Sequence, residues 1–372
     1  MESLFQELIE INYKFPKILK HKQPIKQLHY LLSLSYEKSK TIEYEVKSNQ
    51  KVPPSPEKMS SKYFPYEIQE LIHRKSDNCT QINLLTPLRK IQIDFIFIKD
   101  EDYSQFQIDK YMNLLVLWFS FLDIITPNPN VNKVLQIKIY LTKERKILPS
   151  QNIELSSKHV NSALTYLCQE KGDILIYRQE EWFKVLLHEC IHSYCLDFSS
   201  MNQNRLHECL HTTLPVYIND PHYSETYAEV WAEIMNIAFL SFSKHFETFS
   251  LQFEFYLQLE IAHSISKATN LLKRSNASFE RLREKTNFKQ RTHVYEYHIL
   301  KTILLFSSDN FLMFCLYNNG EMMIPFVNKE ITMTLLCKVI GRSYENPTFF
   351  KSIKKLEELN LNTSLRMSLC EL

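Results

Sequence analysis

The period of the apolar positions changes several times along this chain, and each change predicts an element. Residues 91–98 are almost continuously β-branched and aromatic, the mark of a buried strand. Residues 105–123 carry apolar side chains at helical spacing. Residues 135–142 alternate apolar and polar, as a half-buried strand does. Two shorter strands are expected at 160–166 and 174–177, separated by a turn at Gly172 and Asp173. An apolar run from Trp182 to Leu187 then starts a helix that the pattern buries on all sides. Beyond residue 222 the periodicity is helical nearly throughout, over 225–244, 246–272 and 294–306. At the other end, residues 1–47 read as helical and mildly basic. Residues 48–66, with Pro53, Pro54, Pro56 and Pro65, read as a Pro-rich linker. The fold class expected is therefore α+β: a small mixed sheet at about 90–200 with one central buried helix, then a mostly α-helical half at 222–372. Together these form one domain spanning 67–372.

The central helix contains His188-Glu189-Cys190-Ile191-His192. Histidines four apart share a helix face, so both imidazoles can reach one metal ion, and Glu189 beside them can take a proton from water. A second copy of the pattern, His207 to His211, follows a polar stretch and meets Pro215, which predicts a short, weakly anchored helix. Burial favours the first copy, because a helix embedded in a core holds two ligands rigidly.

Catalytic zinc usually has three protein ligands. A third histidine six residues after His192 is absent, since Phe198 stands there, and Asp197 lacks the glycine that a tight return would ordinarily use. The stronger candidates are Glu225 and Glu229, one turn apart on a helix that Ser224 can cap. H-E-x-x-H followed by a helix bearing E-x-x-A-E resembles the gluzincin type of zincin metallopeptidase across about residues 90–245, and is similar to zincin-like proteins encoded by large DNA viruses. The resemblance implies a zincin-like fold, Zn²⁺ held by His188, His192 and Glu225, and Glu229 hydrogen-bonded to the far nitrogen of a ligating histidine, although Glu225 and Glu229 can exchange roles. It also implies Glu189 as general base and a polypeptide substrate lying antiparallel to the strand near 160–166. An oxyanion donor is expected from residues 292–298, with Tyr297 first and His293 second.

Composition narrows the picture further. Three glycines, Gly172, Gly320 and Gly341, cannot assemble a phosphate-binding glycine loop. A net charge of +2 gives no reason to invoke nucleic acid or a membrane as partner. The most apolar stretch, 111–125, includes Asn113 and Asp123 and suits a buried helix rather than a membrane span. The N-terminal residues do not resemble a signal peptide, and the cysteines form no C-x-x-C pair. A cytoplasmic setting is expected, the host cytoplasm or the virion for a viral chain, with most cysteines acting as small buried hydrophobes. Two other readings remain open at this point. One is an inactive zincin-like scaffold that binds a partner protein. The other is a structural zinc protein using His188, His192, Cys209 and His211.

Overall fold

The computed structural model describes residues 2–53, 62–151, 153–284, 286–329, 331–357, 359 and 364–371. The first half of the chain contributes α1 (Glu2–Glu10), α2 (Lys22–Ser39), β1 (Glu43–Gln50), α3 (Tyr66–Lys75), β2 (Ser76–Leu85), β3 (Lys90–Ile98), α4 (Ile108–Ile125) and β4 (Val134–Tyr140). Next come α5 (Ser157–Val160), β5 (Ala163–Thr165), β6 (Lys171–Ile176) and α6 (Trp182–Ser193). The remainder is α7 (Asn204–Thr213), β7 (Val216–Tyr217), α8 (Tyr223–Leu240), α9 (Phe246–Arg274), β8 (Thr286–Asn287), α10 (Lys301–Phe306), α11 (Ser308–Asn319), α12 (Thr332–Tyr344) and α13 (Pro347–Leu356).

Six strands form one mixed sheet in the order β1-β2-β3-β4-β6-β5. β3, β4 and β6 run parallel to one another, while β1, β2 and β5 pair antiparallel with their neighbours. The parallel step from β3 to β4 requires a crossover, and α4 supplies it. Ten residues of α4 are buried, from Met112 to Ile125, so the most apolar stretch of the chain is a core helix. That core is continuous from Leu4 and Leu28 through Trp118 and Leu187 to Ile353, and α2 packs on α4 within it. A second, smaller cluster lies on the opposite sheet face, where Phe64, Ile68 and Ile72 cover Cys79, Ile96, Tyr140 and Tyr177.

The mixed α/β architecture agrees with the sequence pattern, and several details differ from it. β1 crosses the expected boundary at residue 47 and joins the sheet. Its side chains are exposed along nearly its whole length, so it carries no alternation to detect. Of the expected linker at 48–66, residues 54–61 lie outside the described residues, and Phe64 is buried, stacked on Tyr177 at 4.8 Å. The strand expected at 160–166 shrinks to Ala163–Thr165, because Ser156 and His159 form a capping box that starts α5. Gly172 and Asp173 lie within β6 rather than in a turn. The reversal precedes them, with Cys168 in left-handed backbone at φ 62°. Gly172 is required by packing, since a β-carbon there would overlap Asn132 Oδ1.

Half of the eight cysteines depart from expectation. Cys79, Cys190, Cys315 and Cys370 are free and buried, whereas Cys168 pairs with Cys195 and Cys209 with Cys337 as disulfides. The pairs are separated by 27 and 128 residues, so only the tertiary fold brings them together. Among the described residues, no single helix is long and apolar enough to cross a membrane.

Candidate functional site

α6 is buried at every position from Trp182 to Ser193, and its helical period places His188 and His192 on one face. α8 runs against it, buried from Thr226 through Phe239, and presents Glu225 and Glu229 to the same face. His188 Nε2 and His192 Nε2 lie 3.1 Å apart, and Glu225 Oε2 is 3.3 Å from each. Tetrahedral zinc with bonds of about 2.0–2.2 Å separates neighbouring ligand atoms by about 3.4 Å, so this triangle has the size of one face of such a site. Two imidazoles and a carboxylate are also a donor set that suits zinc. Among the described residues it is the one group of three or more His, Cys, Asp or Glu whose ligand atoms converge in this way.

The far nitrogens of both histidines face carboxylates. Glu229 Oε2 lies 3.0 Å from His188 Nδ1, close enough for an ion pair but without the geometry of the hydrogen bond expected there. Asp197 Oδ2 lies 2.6 Å from His192 Nδ1, a role the sequence reading did not give it. Cys195 makes this possible: it adopts φ 56°, and Leu196 N–H then donates to Ile191 O at 2.9 Å, folding the chain back over the end of α6. Such carboxylate partners fix the imidazole orientation and raise its basicity. Burial disfavours the imidazolium of His192, yet Glu225 and Asp197 outweigh burial and raise its pKa well above the usual value. Burial likewise opposes the Glu225 carboxylate, and His192 and His188 reverse the sign, holding it well below the usual range.

Glu189 lies beside this triangle and lines the same cleft. Burial raises its carboxyl pKa against the opposing pull of His188 and His192, which suits a group that must carry a proton. The cleft, about 280 Å³ in volume, lies between the free edge of β5 and the segment that carries Tyr297. That segment, Tyr295–Leu300, is a π-helix, a form often found at functional sites. Tyr297 and His293 both line the cleft, and the ring of Tyr297 sits 5.9 Å from that of His188. Burial lowers the pKa of His293 to about 4, so it is a neutral imidazole near neutral pH.

Cleft residues that escaped the sequence reading include Tyr63, His222 and Asn161. Tyr63 stands in the expected linker, 3.3 Å from His293 Nε2 through its hydroxyl, and its carbonyl accepts a 2.7 Å bond from Tyr177. His222 packs its ring 4.6 Å from that of His293. Asn161 belongs to the bend between α5 and β5 and accepts a 2.9 Å bond from Thr292. None of these has a local pattern to announce it, because each is placed by tertiary contacts.

Behind the site lies a buried ionic layer. Lys184 pairs with Glu229, Lys301 lies 3.4 Å from Glu233 and 3.8 Å from Glu229, and Lys146 lies 2.5 Å from Glu181. Glu229 thus anchors a histidine and two lysines at once, and this compensates its buried charge.

The second motif occupies a different environment. On α7 only Leu206 and Leu210 are buried, His207 and Glu208 are exposed, and His207 Nδ1 pairs with Tyr223 Oη at 2.9 Å. Cys209 is committed to its disulfide with Cys337, which removes it from the structural zinc cluster considered above. No protein-family model, curated protein or solved structure matches this chain.

Proposed function

We propose that the chain is a zincin-like, zinc-dependent metallopeptidase whose centre is built from His188, His192, Glu225 and Glu189. The observation that carries this reading is the 3.1–3.3 Å triangle of His188 Nε2, His192 Nε2 and Glu225 Oε2, with Glu189 beside it. Bound by those three residues, zinc supplies a Lewis acid. Asp197 holds the His192 imidazole by its Nδ1, and Glu229 places a negative charge beside Nδ1 of His188. Glu189 accepts the proton of the attacking water on its carboxylate and passes it to the departing amine nitrogen. Tyr297 offers its hydroxyl to the oxyanion that develops on the attacked carbonyl, with the neutral His293 as a second donor. The polypeptide lies along β5, which is an edge strand of the sheet, so its backbone can add as a further antiparallel strand while Leu164, Thr165 and Leu167 contact alternate side chains.

The test is Glu189→Gln assayed on a mixture of unfolded polypeptides in the presence of zinc. Zinc content and thermal unfolding should match the wild type, while peptide-bond hydrolysis falls by roughly 10²–10⁴-fold. Equal hydrolysis by both proteins would refute the mechanism.

A further inference from the structure

Beside Glu189 the cleft branches into a much smaller pocket of about 40 Å³ that shares Asn161, Ala163, His188, Glu189 and Tyr297 with it. A side chain on a peptide held along β5 therefore reaches this pocket from next to the proton-accepting carboxylate. The walls that belong to the branch alone include Val160, Ser162, Val185, Lys146, Lys184 and Met367.

Met367 arrives from far along the chain, within the segment 364–371. That segment forms no strand longer than the single bridge of Ser364 to Ile147, yet its backbone is held at nearly every residue. Lys267 Nζ donates to Ser364 O at 2.5 Å, and Leu365 N–H donates to Lys146 O at 2.8 Å. Lys301 Nζ donates to Met367 O at 2.6 Å, and Ser368 N–H donates to Glu181 Oε1 at 2.5 Å. Cys370 N–H donates to Glu260 Oε1 at 2.6 Å. All of these contacts use backbone atoms of the segment, so the position of residue 367 is fixed independently of its side chain. The side chain lies with Sδ 3.9 Å from Lys184 Nζ.

The charge of the walls is already spent internally. Lys184 is neutralised by Glu229 and Lys146 by Glu181, so neither lysine is available to select an acidic side chain. Ser162 adds a buried hydroxyl with no hydrogen-bond partner among the described residues, so a ligand hydroxyl gains a bond there. Val160, Ala163 and Val185 supply short aliphatic walls. Met367 limits how far an entering side chain can extend.

We infer that Met367 determines specificity: it forms the floor of a subsite that admits a short, uncharged side chain of the substrate, Ala, Val, Ser or Thr, next to the bond being cut. The inference rests on the peptidase reading above and assigns that site its substrate class. Discrimination by pocket size commonly reaches about 10–200-fold per methylene, so changing the floor should change the cleavage pattern measurably.

The experiment uses the zinc-loaded chain, its Met367→Ala and Met367→Phe variants, and Glu189→Gln as the blank. Each is incubated with a peptide mixture of known sequences, and the new termini are identified by mass spectrometry while zinc content is measured in parallel. The wild type should cut beside Ala, Val, Ser and Thr. Met367→Ala should gain cuts beside Leu, Met and Phe by roughly tenfold or more, and Met367→Phe should narrow the preference to Ala and Ser. A cleavage pattern identical in the three zinc-loaded proteins overturns the role of Met367 and leaves the peptidase reading standing. Absence of any cut above the blank overturns both.

Discussion

Asp197 Oδ2 sits 2.6 Å from His192 Nδ1, on the side of the imidazole opposite Glu225. Glu229 lies 3.0 Å from the Nδ1 of His188 as a charged neighbour, without the hydrogen-bond geometry of the Asp197 pair. The two histidines thus face two carboxylates of different origin, one from the return after α6 and one from α8. The surroundings of those carboxylates differ, and so should the consequences of removing them.

Asp197→Asn keeps a side chain of the same size and removes the charge behind His192. Zinc affinity should drop by about 10–100-fold with little change in folding stability, measured by competition with a chelator and by thermal unfolding. Glu229→Gln should behave otherwise, because it also leaves Lys184 buried without its counter-charge. That variant should lose about 3–5 kcal/mol of stability in denaturant titration. Equal stability of the two variants would contradict the ionic layer behind the site.

Tyr297 lines the cleft beside Glu189, its ring 5.9 Å from that of His188. Removing its hydroxyl in Tyr297→Phe should lower kcat by roughly 10²–10³-fold while zinc content stays constant. An unchanged kcat, with His293→Ala producing the loss instead, would transfer the oxyanion role to His293.

The pair of Lys146 and Glu181 sets a pH dependence of stability. Burial by itself would raise the Glu181 pKa, yet Lys146, Arg366 and Lys184 more than offset it and hold it at about 2. A carboxyl depressed on folding stabilises the protein fully above its unfolded value of about 4.5, and that contribution fades as pH falls through the folded value. Denaturant titrations between about pH 5 and pH 3 should therefore show wild-type stability falling with acid. In Glu181→Gln the slope should be shallower and the stability at neutral pH lower. The same slope in both proteins would count against this assignment.

Much of this site is legible in the sequence, for reasons specific to its helices. His188 and His192 are four apart in an apolar run, and Glu225 and Glu229 are four apart at the start of another, so helical period alone puts each pair on one face. Asp197 was harder to see, because it reaches His192 only through the left-handed backbone of Cys195 at φ 56°, a conformation more readily expected of glycine. Tyr63 and His222 enter the cleft through contacts with His293, far away in sequence. β1 was missed because its side chains face solvent nearly throughout, and the disulfides because spacing does not encode their pairing.

Of two copies of the same five-residue pattern, the one on α6 is proposed to hold the metal, because α6 is buried and α7 is not. Zinc content per chain, measured by atomic emission on dialysed wild type, His188→Ala and His211→Ala, tests this most directly. About one zinc per chain is predicted in the wild type and in His211→Ala, with little in His188→Ala. Full zinc content in His188→Ala, or equal loss in both variants, would contradict it.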